Sequence, residues 1–432
     1  MRIVVIGGGA AGMIAAYAAA KNKKNEVIIL EKNEKLGKKL YISGKGRCNL
    51  TNDCDREEFF KNIVRNSKFL YSSFDLFSNK DLKELIETNG CPLKTERGNR
   101  VFPMSDKSSD IIKTLEKILK WSHVKIYFNA KVSKVKKMDE DETFDISYHS
   151  GKAKDNKNGF THIIADKVII ATGGLSYPVT GSTGDGYRFA RDFDLQVSEQ
   201  SPSLVPFNVR EIDECKSMQG LTLKNVGIKI YEKDNPKEIL YKDFGELLFT
   251  HFGVSGPVIL SASCYVDQKC ILSIDLKPAL SESKLDERLL REIEVSKNKK
   301  LKSIIETLLP KSMVEIFLKR LDKSRMGELP SRTGELYEPL SDIKVHDIDK
   351  GLRKSIVNLL KDFRLTLVSK RGFDEAIVTR GGVDVKEINP KTMESKKVKG
   401  LYFAGEVLDI DALTGGFNIQ IAATTGYAAG NL

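Results

Sequence analysis

The sequence predicts an α/β protein whose mainly parallel sheet is formed by the two ends of the chain and is interrupted by a β-rich segment and a helical one. Residues 2–31 have the pattern of strand, glycine turn, helix and strand. Residues 401–430 have the pattern of strand, glycine-rich loop and helix. From about Gln196 the pattern changes to short strands separated by turn residues, which indicates an inserted β-rich domain.

Length, composition and charge are typical of a globular chain with more than one domain. The chain has 432 residues, of which 41% are hydrophobic, and a domain commonly takes about 100–200 residues. The 70 Lys and Arg exceed the 59 Asp and Glu and give a net charge of +11. The lysines are interleaved with acidic residues, and no basic run is patterned with aromatic residues. We therefore expect a solvated basic surface and a small-molecule substrate rather than a nucleic acid.

Cysteine spacing and apolar runs limit the remaining classes. The six cysteines include no C-x-x-C pair and no metal-ligand spacing with the five histidines, so we predict no metal site and a cytoplasmic protein with reduced thiols. The N-terminus imitates a signal peptide, but three consecutive glycines at 7–9 interrupt its apolar run. No other run approaches the roughly 18 apolar residues of a membrane span.

A dinucleotide-binding fingerprint follows the first predicted strand. Gly7, Gly9 and Gly12 have the spacing G-x-G-x-x-G, and Glu31 ends the second strand. The first glycine permits a tight turn, the second lets a pyrophosphate approach the backbone, and the third lets helix and strand pack closely. The phosphates are expected at the helix N-terminus and the ribose hydroxyls at Glu31. The fingerprint alone does not separate NAD from FAD.

Patterns in the rest of the chain give the domain boundaries. Amphipathic segments at 56–88 and 107–120 predict helices, and alternation from about Val124 to His149 predicts a β-meander followed by a polar Gly/Asn-rich stretch. A helical pattern covers 281–361 and is broken by a polar loop at 332–349. We predict three domains, which are 1–195 with 376–432, 196–280 with 362–375, and 281–361.

The second half of the first domain favours a flavin. IIATGG at 169–174 predicts a buried strand running into a glycine turn, and GSTGDG after it does not repeat the fingerprint. No separate nicotinamide domain is therefore predicted. In the C-terminal segment, Glu406 or Asp409 could hold ribitol hydroxyls, and the N–H groups near Gly416 could face the flavin ring.

These residues resemble those of a known family. The motifs GGGAAGMIAA, SGKGRCNLTN, ATGGLSYPVTGSTGDGY, LLFTHFGVSGP and GLYFAGEVLDIDALTGGFNIQIA are similar to those of the BaiN/RdsA, or aminoacetone oxidase-like, family of FAD-dependent flavoproteins, nearly end to end. The resemblance implies a Rossmann-like FAD-binding domain with a GR-type βαβ unit, interrupted by a β-barrel-like domain and a small helical domain. One departure is Phe193-Asp194, where many relatives have Gly-His.

The resemblance also implies a set of cofactor contacts. With the fingerprint glycines they are Gly7, Gly9, Ala11, Gly12, Glu31, Lys32, Gly44, Arg47, Cys48, Asn49, Val132, Ala171, Thr172, Gly173, Gly405, Glu406, Asp411, Gly416, Phe417 and Asn418. Val132 is implied as a backbone contact to adenine. Arg47 is available to a phosphate, and Asn49 to a polar edge.

Catalytic residues are less clearly marked. His251, in FTHFGVSGP, is a candidate for proton transfer beside the flavin, and a structural histidine beside a turn is the alternative. Tyr177 is a candidate proton donor or stacking wall, with core packing as its alternative. Arg380 is a candidate for orienting a carboxylate substrate. Most of the chemistry is expected from the flavin itself.

Three functions remain open on this basis. The first is an oxidoreductase that passes a hydride at flavin N5 between a small organic substrate and NADH, NADPH or oxygen, by reduction of a conjugated C=C bond in a steroid-like acid or by oxidation of a small amine. The second is a flavin-binding regulatory or RNA-associated protein without turnover. The third is a dithiol reductase that uses Cys48 and Cys54. Five residues separate these cysteines, and Asn52 and Asp53 favour a turn between them, so we expect a cofactor cradle rather than a redox pair.

Overall fold

The computed structural model describes residues 1–138, 142–150, 160–233, 235, 237–267, 269–296, 298–328 and 339–432. The predicted polar Gly/Asn-rich stretch at 151–159 and part of the predicted polar loop, 332–338, lie outside the described residues. The chain divides into two compact units: Met1–Leu204 with Gly372–Leu432, and Val205–Arg371.

The strands and helices are numbered along the chain. The strands are β1 Arg2–Ile6, β2 Glu26–Leu30, β3 Thr51–Asn52, β4 Leu93–Glu96, β5 Arg100–Pro103, β6 Lys125–Tyr127, β7 Ala130–Lys137, β8 Phe144–Ser150, β9 Phe160–Ala165, β10 Lys167–Ile170, β11 Ser201–Ser203, β12 Phe207–Val209, β13 Thr222–Glu232, β14 Ile239–Thr250, β15 Gly253–Ser255, β16 Cys270–Asp275, β17 Phe363–Lys370, β18 Val378–Arg380 and β19 Leu401–Phe403. The helices are α1 Ala10–Ala20, α2 Lys38–Ile42, α3 Arg56–Lys61, α4 Tyr71–Leu76, α5 Asn79–Thr88, α6 Ser108–Trp121, α7 Asp185–Asp192, α8 Ile212–Ser217, α9 Pro257–Ala262, α10 Glu282–Val295, α11 Leu301–Leu308, α12 Lys311–Glu328, α13 Lys350–Lys361 and α14 Phe417–Gly430.

The first unit is built on a parallel five-stranded sheet of order β19-β10-β1-β2-β6. Its central strands are continuous apolar runs because both faces of the sheet are covered. Ile6 at the end of β1 pairs with Leu30 on one side and with Ile170 on the other. The strands from the two ends of the chain thus share one sheet, which confirms the predicted fold class.

Helices α1 and α14 pack very closely beside this sheet. A Cβ atom at Gly426 would lie 2.3 Å from the carbonyl oxygen of Ala11, and one at Gly430 would lie 2.1 Å from that of Ala15. Only glycine fits at such distances. The start of α1 therefore packs against the C-terminal part of α14.

The amphipathic segment at 56–88, which predicts helices, forms α3, α4 and α5. Helix α3 ends at Lys61, and Asn66, with a left-handed φ of 54°, precedes a short 3-10 turn that leads into α4. Ser78 begins α5 through a capping box with Asp81. The second predicted helix, 107–120, corresponds to α6.

The second unit contains a closed six-stranded barrel of order β12-β15-β14-β13-β16-β17. Alternate residues of β13 point inward, with Ile228 and Ile230 buried and Lys229 exposed. Helices α10 to α13 share the hydrophobic core of the barrel, in which Leu289 and Phe317 lie in the same cluster as Leu272. The predicted helical domain at 281–361 is therefore in one compact unit with the barrel.

The observed boundary between the two units lies later in the chain than the change of sequence pattern near Gln196. Strand β11 pairs antiparallel with β18, with Ser203 facing Val378, and both strands belong to the first unit. The second unit begins at Val205, two residues after β11. Among the described residues, no helix is long and apolar enough to cross a membrane.

Candidate functional site

A deep cleft in the first unit lies at the carboxyl ends of the parallel strands, where α/β sheets commonly bind ligands. It brings together most of the residues implied for the cofactor. Those that line it are Gly7, Gly9, Ala11, Glu31, Lys32, Gly44, Asn49, Val132, Ala171, Thr172, Gly173, Glu406, Gly416 and Asn418. The lining thus draws on the first βαβ unit, the meander strand β7, the turn after β10 and the start of α14.

The three fingerprint glycines have three different surroundings. Gly7 has a φ of 106°, and a Cβ atom there would lie 2.4 Å from the carbonyl oxygen of Ala171. A Cβ atom at Gly12 would lie 1.9 Å from the carbonyl oxygen of Gly7, so this glycine permits α1 to pack on β1. A Cβ atom at Gly9 would meet nothing within 4 Å, because Gly9 faces open space in the cleft at the N-terminus of α1. This space suits a pyrophosphate beside the helix dipole.

Glu31 places a buried carboxylate in the cleft at the end of β2. Its Oε2 accepts a hydrogen bond from the Gly8 N–H at 2.6 Å, and its Oε1 accepts one from the Asn33 N–H at 2.8 Å. These bonds fix the carboxylate and lower the cost of burying its charge. Oε1 also accepts from the Asn33 side-chain amide at 2.7 Å, so Oε2 is the oxygen that retains acceptor capacity for a ribose hydroxyl.

Lys32 is anchored by residues of α7 and the turn before it. Its ammonium group donates to Asp185 Oδ2 at 2.7 Å and to Thr183 Oγ1 at 2.6 Å. Burial alone would raise the pKa of Asp185, but the hydrogen bond and charge of Lys32 outweigh it, and the pKa is lowered. The pair sits in the cleft wall near Val132 as a fixed polar group.

Glu406 joins three segments of the cleft wall. Its Oε2 accepts from the ammonium of Lys39, and its Oε1 accepts from the Thr379 N–H at 2.8 Å and from Ser176 Oγ at 3.2 Å. Thr379 Oγ1 in turn accepts from the Leu175 N–H at 2.8 Å. The predicted ribitol-binding carboxylate is therefore already engaged with protein groups, and it holds Lys39 at the cleft.

The loop before α14 is held by Asn418. The Asn418 side chain accepts from the Ala412 N–H at 3.0 Å and donates to the Ala412 carbonyl at 2.8 Å. Gly416 caps the helix with a φ of 100°, and a Cβ atom there would lie 2.4 Å from the carbonyl oxygen of Thr51. When the Asn49 amide is oriented so that both its oxygen and its nitrogen form hydrogen bonds, the oxygen accepts from the Gly416 N–H at 3.1 Å. The N-terminus of α14 is thereby fixed at the cleft.

Six residues implied for the cofactor lie outside the cleft lining. They are Gly12, Arg47, Cys48, Gly405, Asp411 and Phe417. Arg47 forms ion pairs with Glu96 and, at 2.6 Å, with Asp106, and its guanidinium lies over the ring of Phe102. The charge of Arg47 is therefore already paired within the protein, and its contact with a phosphate stays a prediction. Phe417 is buried against the ring of Phe59.

Cys48 and Cys54, the cysteines of the dithiol hypothesis, are buried free thiols. Burial raises the pKa of the Cys48 thiol to about 12 and that of the Cys54 thiol to about 11. At neutral pH both are thiols, and the thiolate is the form that reacts. The environment of these residues therefore favours packing over electron transfer.

The dithiol hypothesis gives a simple prediction. Replacing Cys54 with Ser should leave the rate of flavin reduction within about twofold of wild type, because Cys54 is absent from the cleft lining and is not a thiolate at neutral pH. Anaerobic stopped-flow absorbance with NADPH, and with dithionite as a control reductant, measures it. A loss of reduction by NADPH alone would revive the redox pair.

Asp411 lies in a buried charged cluster behind the cleft loop. Asp411 Oδ2 accepts from Ser203 Oγ at 3.0 Å, and the neighbouring Asp409 pairs with Arg65 at 3.3 Å. Arg380, a predicted substrate-orienting residue, contributes its charge to the same cluster. Burial raises the pKa of Asp411 to about 6 despite the two arginines. The structure thus connects Arg380 with a buried carboxylate.

This pKa makes a prediction about stability. Because the folded protein holds the Asp411 proton more tightly than the unfolded chain, Asp411 should lower the free energy of unfolding as the pH rises from about 4 to about 6, by about 3 kcal/mol. Asp411→Asn should flatten this part of the pH profile and be more stable than wild type at pH 7.5. Urea unfolding from pH 4 to 7.5 measures both, and an unchanged profile would contradict the assignment.

Two of the three predicted catalytic residues belong to the first unit. Tyr177 has a left-handed φ of 51°, and burial together with Glu375 raises its pKa. Neither Tyr177 nor Arg380 lines the cleft. His251 belongs to the second unit, where it is exposed in the turn between β14 and β15 beside the ring of Phe252. Their catalytic roles stay predictions.

The cleft residues fit FAD on structural grounds. The open space at Gly9 accepts a pyrophosphate, and the buried Glu31 carboxylate suits a ribose. Thr172 lines the cleft, and its Oγ1 is buried without a hydrogen-bond partner among the described residues. The N-terminus of α14 offers partial positive charge at another part of the same wall.

Several cleft residues were not predicted from the sequence. Lys39, Asn33 and Asp185 line the cleft, while Ser176 and Thr379 support Glu406. Asp185 lies within the recognised motif GSTGDG, which offered a signal. Lys39 lies in a lysine-rich segment with no distinguishing pattern, and only the folded chain brings it to Glu406.

Comparison with known proteins gives one family and several relatives. The model of the HI0933-like protein Rossmann domain matches residues 1–432. Ribosomal RNA dihydrouridine synthase of Haemophilus influenzae is 31% identical over 405 residues, covering 93% of this chain and 91% of that protein. The protein of the same name from Escherichia coli is 30% identical over 404 residues, covering 93% and 90%.

A further relative and a solved structure carry names other than ribosomal RNA dihydrouridine synthase. The 3-dehydro-bile acid delta(4,6)-reductase of Clostridium scindens is 28% identical over 419 residues, covering 94% of this chain and 92% of that protein. The 3-ketosteroid delta1-dehydrogenase of Sterolibacterium denitrificans has a TM-score of 0.50 and 13% identity, covering 99% of this chain and 98% of that chain. At this identity the structural match supports the fold alone.

Proposed function

Because the chain belongs to the HI0933-like Rossmann-domain family and is a flavoprotein oxidoreductase, we propose that it uses FAD to reduce a C=C bond conjugated to a carbonyl group. The observation that supports FAD as the cofactor is the cleft, in which a helix N-terminus with open space at Gly9 adjoins the buried carboxylate of Glu31; the reaction is inferred from the names of the relatives. The first substrate to test is a uracil base of ribosomal RNA.

The reactions in the relatives' names have one step in common, which is reduction of a C=C bond conjugated to a carbonyl group. A uracil becomes dihydrouracil when its 5,6-double bond is reduced, and that bond is conjugated to the carbonyl at C4. A 3-oxo steroid with double bonds at C4 and C6 has the same kind of conjugation. In uracil the hydride adds to C6, which is β to the C4 carbonyl, and the proton adds to C5. In the dienone the hydride adds to the β carbon of the 4,5 bond or the δ carbon of the 6,7 bond, and the proton adds to the other carbon of the reduced bond. Of the two directions left open by the sequence, C=C reduction is therefore supported and amine oxidation is not.

Residues of this chain would hold the cofactor and organise the reaction. FAD, when bound, supplies the hydride from its reduced isoalloxazine ring. The N–H groups at the start of α1 would bind its phosphates, and Glu31 would accept from its ribose. The start of α14, fixed by Asn418 and Asn49, would stabilise negative charge through the helix dipole.

The donor of the electrons and the proton also belongs to the proposal. NADH or NADPH would donate transiently, since the sequence shows no second fingerprint for a resident nicotinamide. Tyr177 and His251 are the proposed proton donors, and Arg380 the proposed residue for orienting a substrate. A bell-shaped dependence of the rate on pH that loses one limb in Tyr177→Phe or His251→Gln would assign the proton donor.

The substrate proposal departs from the sequence-based expectation, which favoured a small molecule rather than a nucleic acid. Two relatives, at 31% and 30% identity, carry the name of a ribosomal RNA enzyme. RNA is therefore the first candidate substrate. A small conjugated ketone remains the second candidate, supported by the bile-acid reductase at 28% identity.

The test is reduction by the purified protein. The protein with FAD and NADPH or NADH is incubated with unmodified ribosomal RNA, and nucleosides are analysed by mass spectrometry for a gain of two hydrogens at uridine. Parallel reactions contain a 3-oxo-4-ene steroid and a primary amine. Dihydrouridine in the first reaction supports the RNA substrate. Turnover of the amine alone, or no turnover in any of the three reactions, would overturn the proposal.

A further inference from the structure

The outer face of barrel strands β13 and β14 carries two lysines directly opposite each other. Lys229 of β13 pairs in register with Lys242 of β14, and both are exposed. Like charges at directly opposed positions destabilise a sheet. Among the described residues, neither ammonium group forms a salt bridge. The pair therefore concentrates positive charge that an anion would neutralise.

A large aromatic side chain lies next to this pair on the same face. Phe244 is 60% exposed and pairs with Gly227, two residues along each strand from the lysines. Because Gly227 has no side chain, nothing from that position covers the ring of Phe244. A phenylalanine this exposed has lost most of the hydrophobic stabilisation that burial gives. Its flat ring is available to stack on a ligand.

The acidic groups near this face are largely paired. Across β16, Lys229 faces Ser273, which in turn faces Arg364 of β17. Arg364 is paired with Asp362 at 2.5 Å. Asp275, opposite Gly227, is paired with Lys361 at 2.6 Å.

Other charged residues lie near the two lysines. Glu246 of β14 and Lys224 in the bulge of β13 are exposed, and Asp362, although paired with Arg364, also interacts electrostatically with Lys229. We call Lys229, Lys242 and Phe244 the barrel patch. Its charge and its aromatic ring come from adjacent strands, so the ring and the cations lie side by side.

We propose that the barrel patch binds RNA, with phosphates at Lys229 and Lys242 and an unpaired base stacked on Phe244. Strand faces that combine cations with exposed aromatic rings bind single-stranded nucleic acid, because the cations follow the backbone and every base has a face that stacks. An acidic protein would also meet the charge but would not use the exposed ring in this way. The inference rests on the proposed RNA substrate and names the surface that holds it.

The experiment compares RNA binding by three variants of the full FAD-loaded protein. Lys229→Gln/Lys242→Gln removes the two charges, and Phe244→Ser removes the ring. Lys302→Gln/Lys311→Gln removes the same charge from α11 and α12 and serves as the matched control. The dissociation constant for a fluorescent ribosomal RNA fragment is measured by anisotropy at several salt concentrations, with polyglutamate as a competitor.

The expected results are specific. The double variant should bind about tenfold or more weakly and should reduce the slope of log affinity against log salt by about 1.4 to 1.8, since each phosphate contact contributes about 0.7 to 0.9. Phe244→Ser should weaken binding about tenfold with the slope unchanged, because stacking is not an ionic contact. The control should behave like wild type in both respects.

Other outcomes overturn the inference. Equal loss in the control would mean a general charge effect, and competition by polyglutamate with no RNA binding would mean an acidic protein partner. The proposed function is tested separately by the anaerobic reduction of a small conjugated ketone, which does not need the patch. RNA binding that shows the predicted slopes without any dihydrouridine would overturn the RNA substrate and leave the patch. If the rate of dihydrouridine formation depends on salt concentration in the same way in the wild type and the double variant, the proposed binding of RNA to the barrel patch is wrong.

Discussion

Gly9→Val should lower the affinity for FAD on the order of 100-fold, which corresponds to about 2.7 kcal/mol, while the protein remains folded. A side chain at Gly9 projects into open space of the cleft at the N-terminus of α1, where the pyrophosphate is expected. The backbone there is extended, with a φ of −80° and a ψ of −170°, and accepts valine without strain. Titration of the apoprotein with FAD, followed by flavin fluorescence, measures the affinity.

The matched control is Gly372→Val. A Cβ atom at Gly372 also meets nothing within 4 Å, but Gly372 is outside the cleft lining. It should bind FAD like wild type. Equal FAD affinity in both variants would show that the pyrophosphate does not lie at Gly9, and would contradict the cleft assignment.

Gly12→Ala should have a different effect from Gly9→Val. It should lower the stability of the first unit and leave the space for the ligand unchanged. A Cβ atom there would lie 1.9 Å from the carbonyl oxygen of Gly7 and 3.0 Å from its carbonyl carbon, and both are backbone atoms. Helix α1 must then move away from β1. We expect a decrease of about 3 kcal/mol in the free energy of unfolding of the first unit.

The single tryptophan makes this measurement specific to one unit. Trp121 lies at the end of α6 in the first unit and is the protein's one Trp. Urea unfolding of the apoprotein followed by its fluorescence should show a lower midpoint for Gly12→Ala and a nearly unchanged midpoint for Gly9→Val. An unchanged midpoint in Gly12→Ala would mean that the α1–β1 contact is not as close as described.

The architecture was predictable because its signals are local. Continuous apolar strands, the spacing of Gly7, Gly9 and Gly12, and the change to short strands near Gln196 are each contained in one stretch of sequence. The structure and the family match confirm the fold class, the resemblance to the BaiN/RdsA family and the flavoprotein oxidoreductase assignment. Local pattern was less informative about where helices end, as at Lys61 and Leu76 within 56–88.

The pairings across the chain were not predictable. Lys39 and Glu406 meet although 367 positions separate them, and Arg47 meets Glu96 and Asp106 through the strands β4 and β5 and the turn that follows. No local pattern indicates either partner. The charge of the barrel patch was hidden for the same reason, since Lys229 and Lys242 become neighbours only through the register of β13 and β14.

The measurement that tests the central claim most directly is anaerobic reoxidation of the reduced protein. FAD bound to the purified protein is reduced with dithionite, so that the identity of the natural donor does not matter, and is then mixed with unmodified ribosomal RNA or with a conjugated ketone. The account predicts that the absorbance of oxidised flavin returns without oxygen as dihydrouridine or the saturated ketone forms, and that Gly9→Val shows no such return. Flavin that stays reduced with every conjugated substrate and is reoxidised by oxygen alone would contradict it.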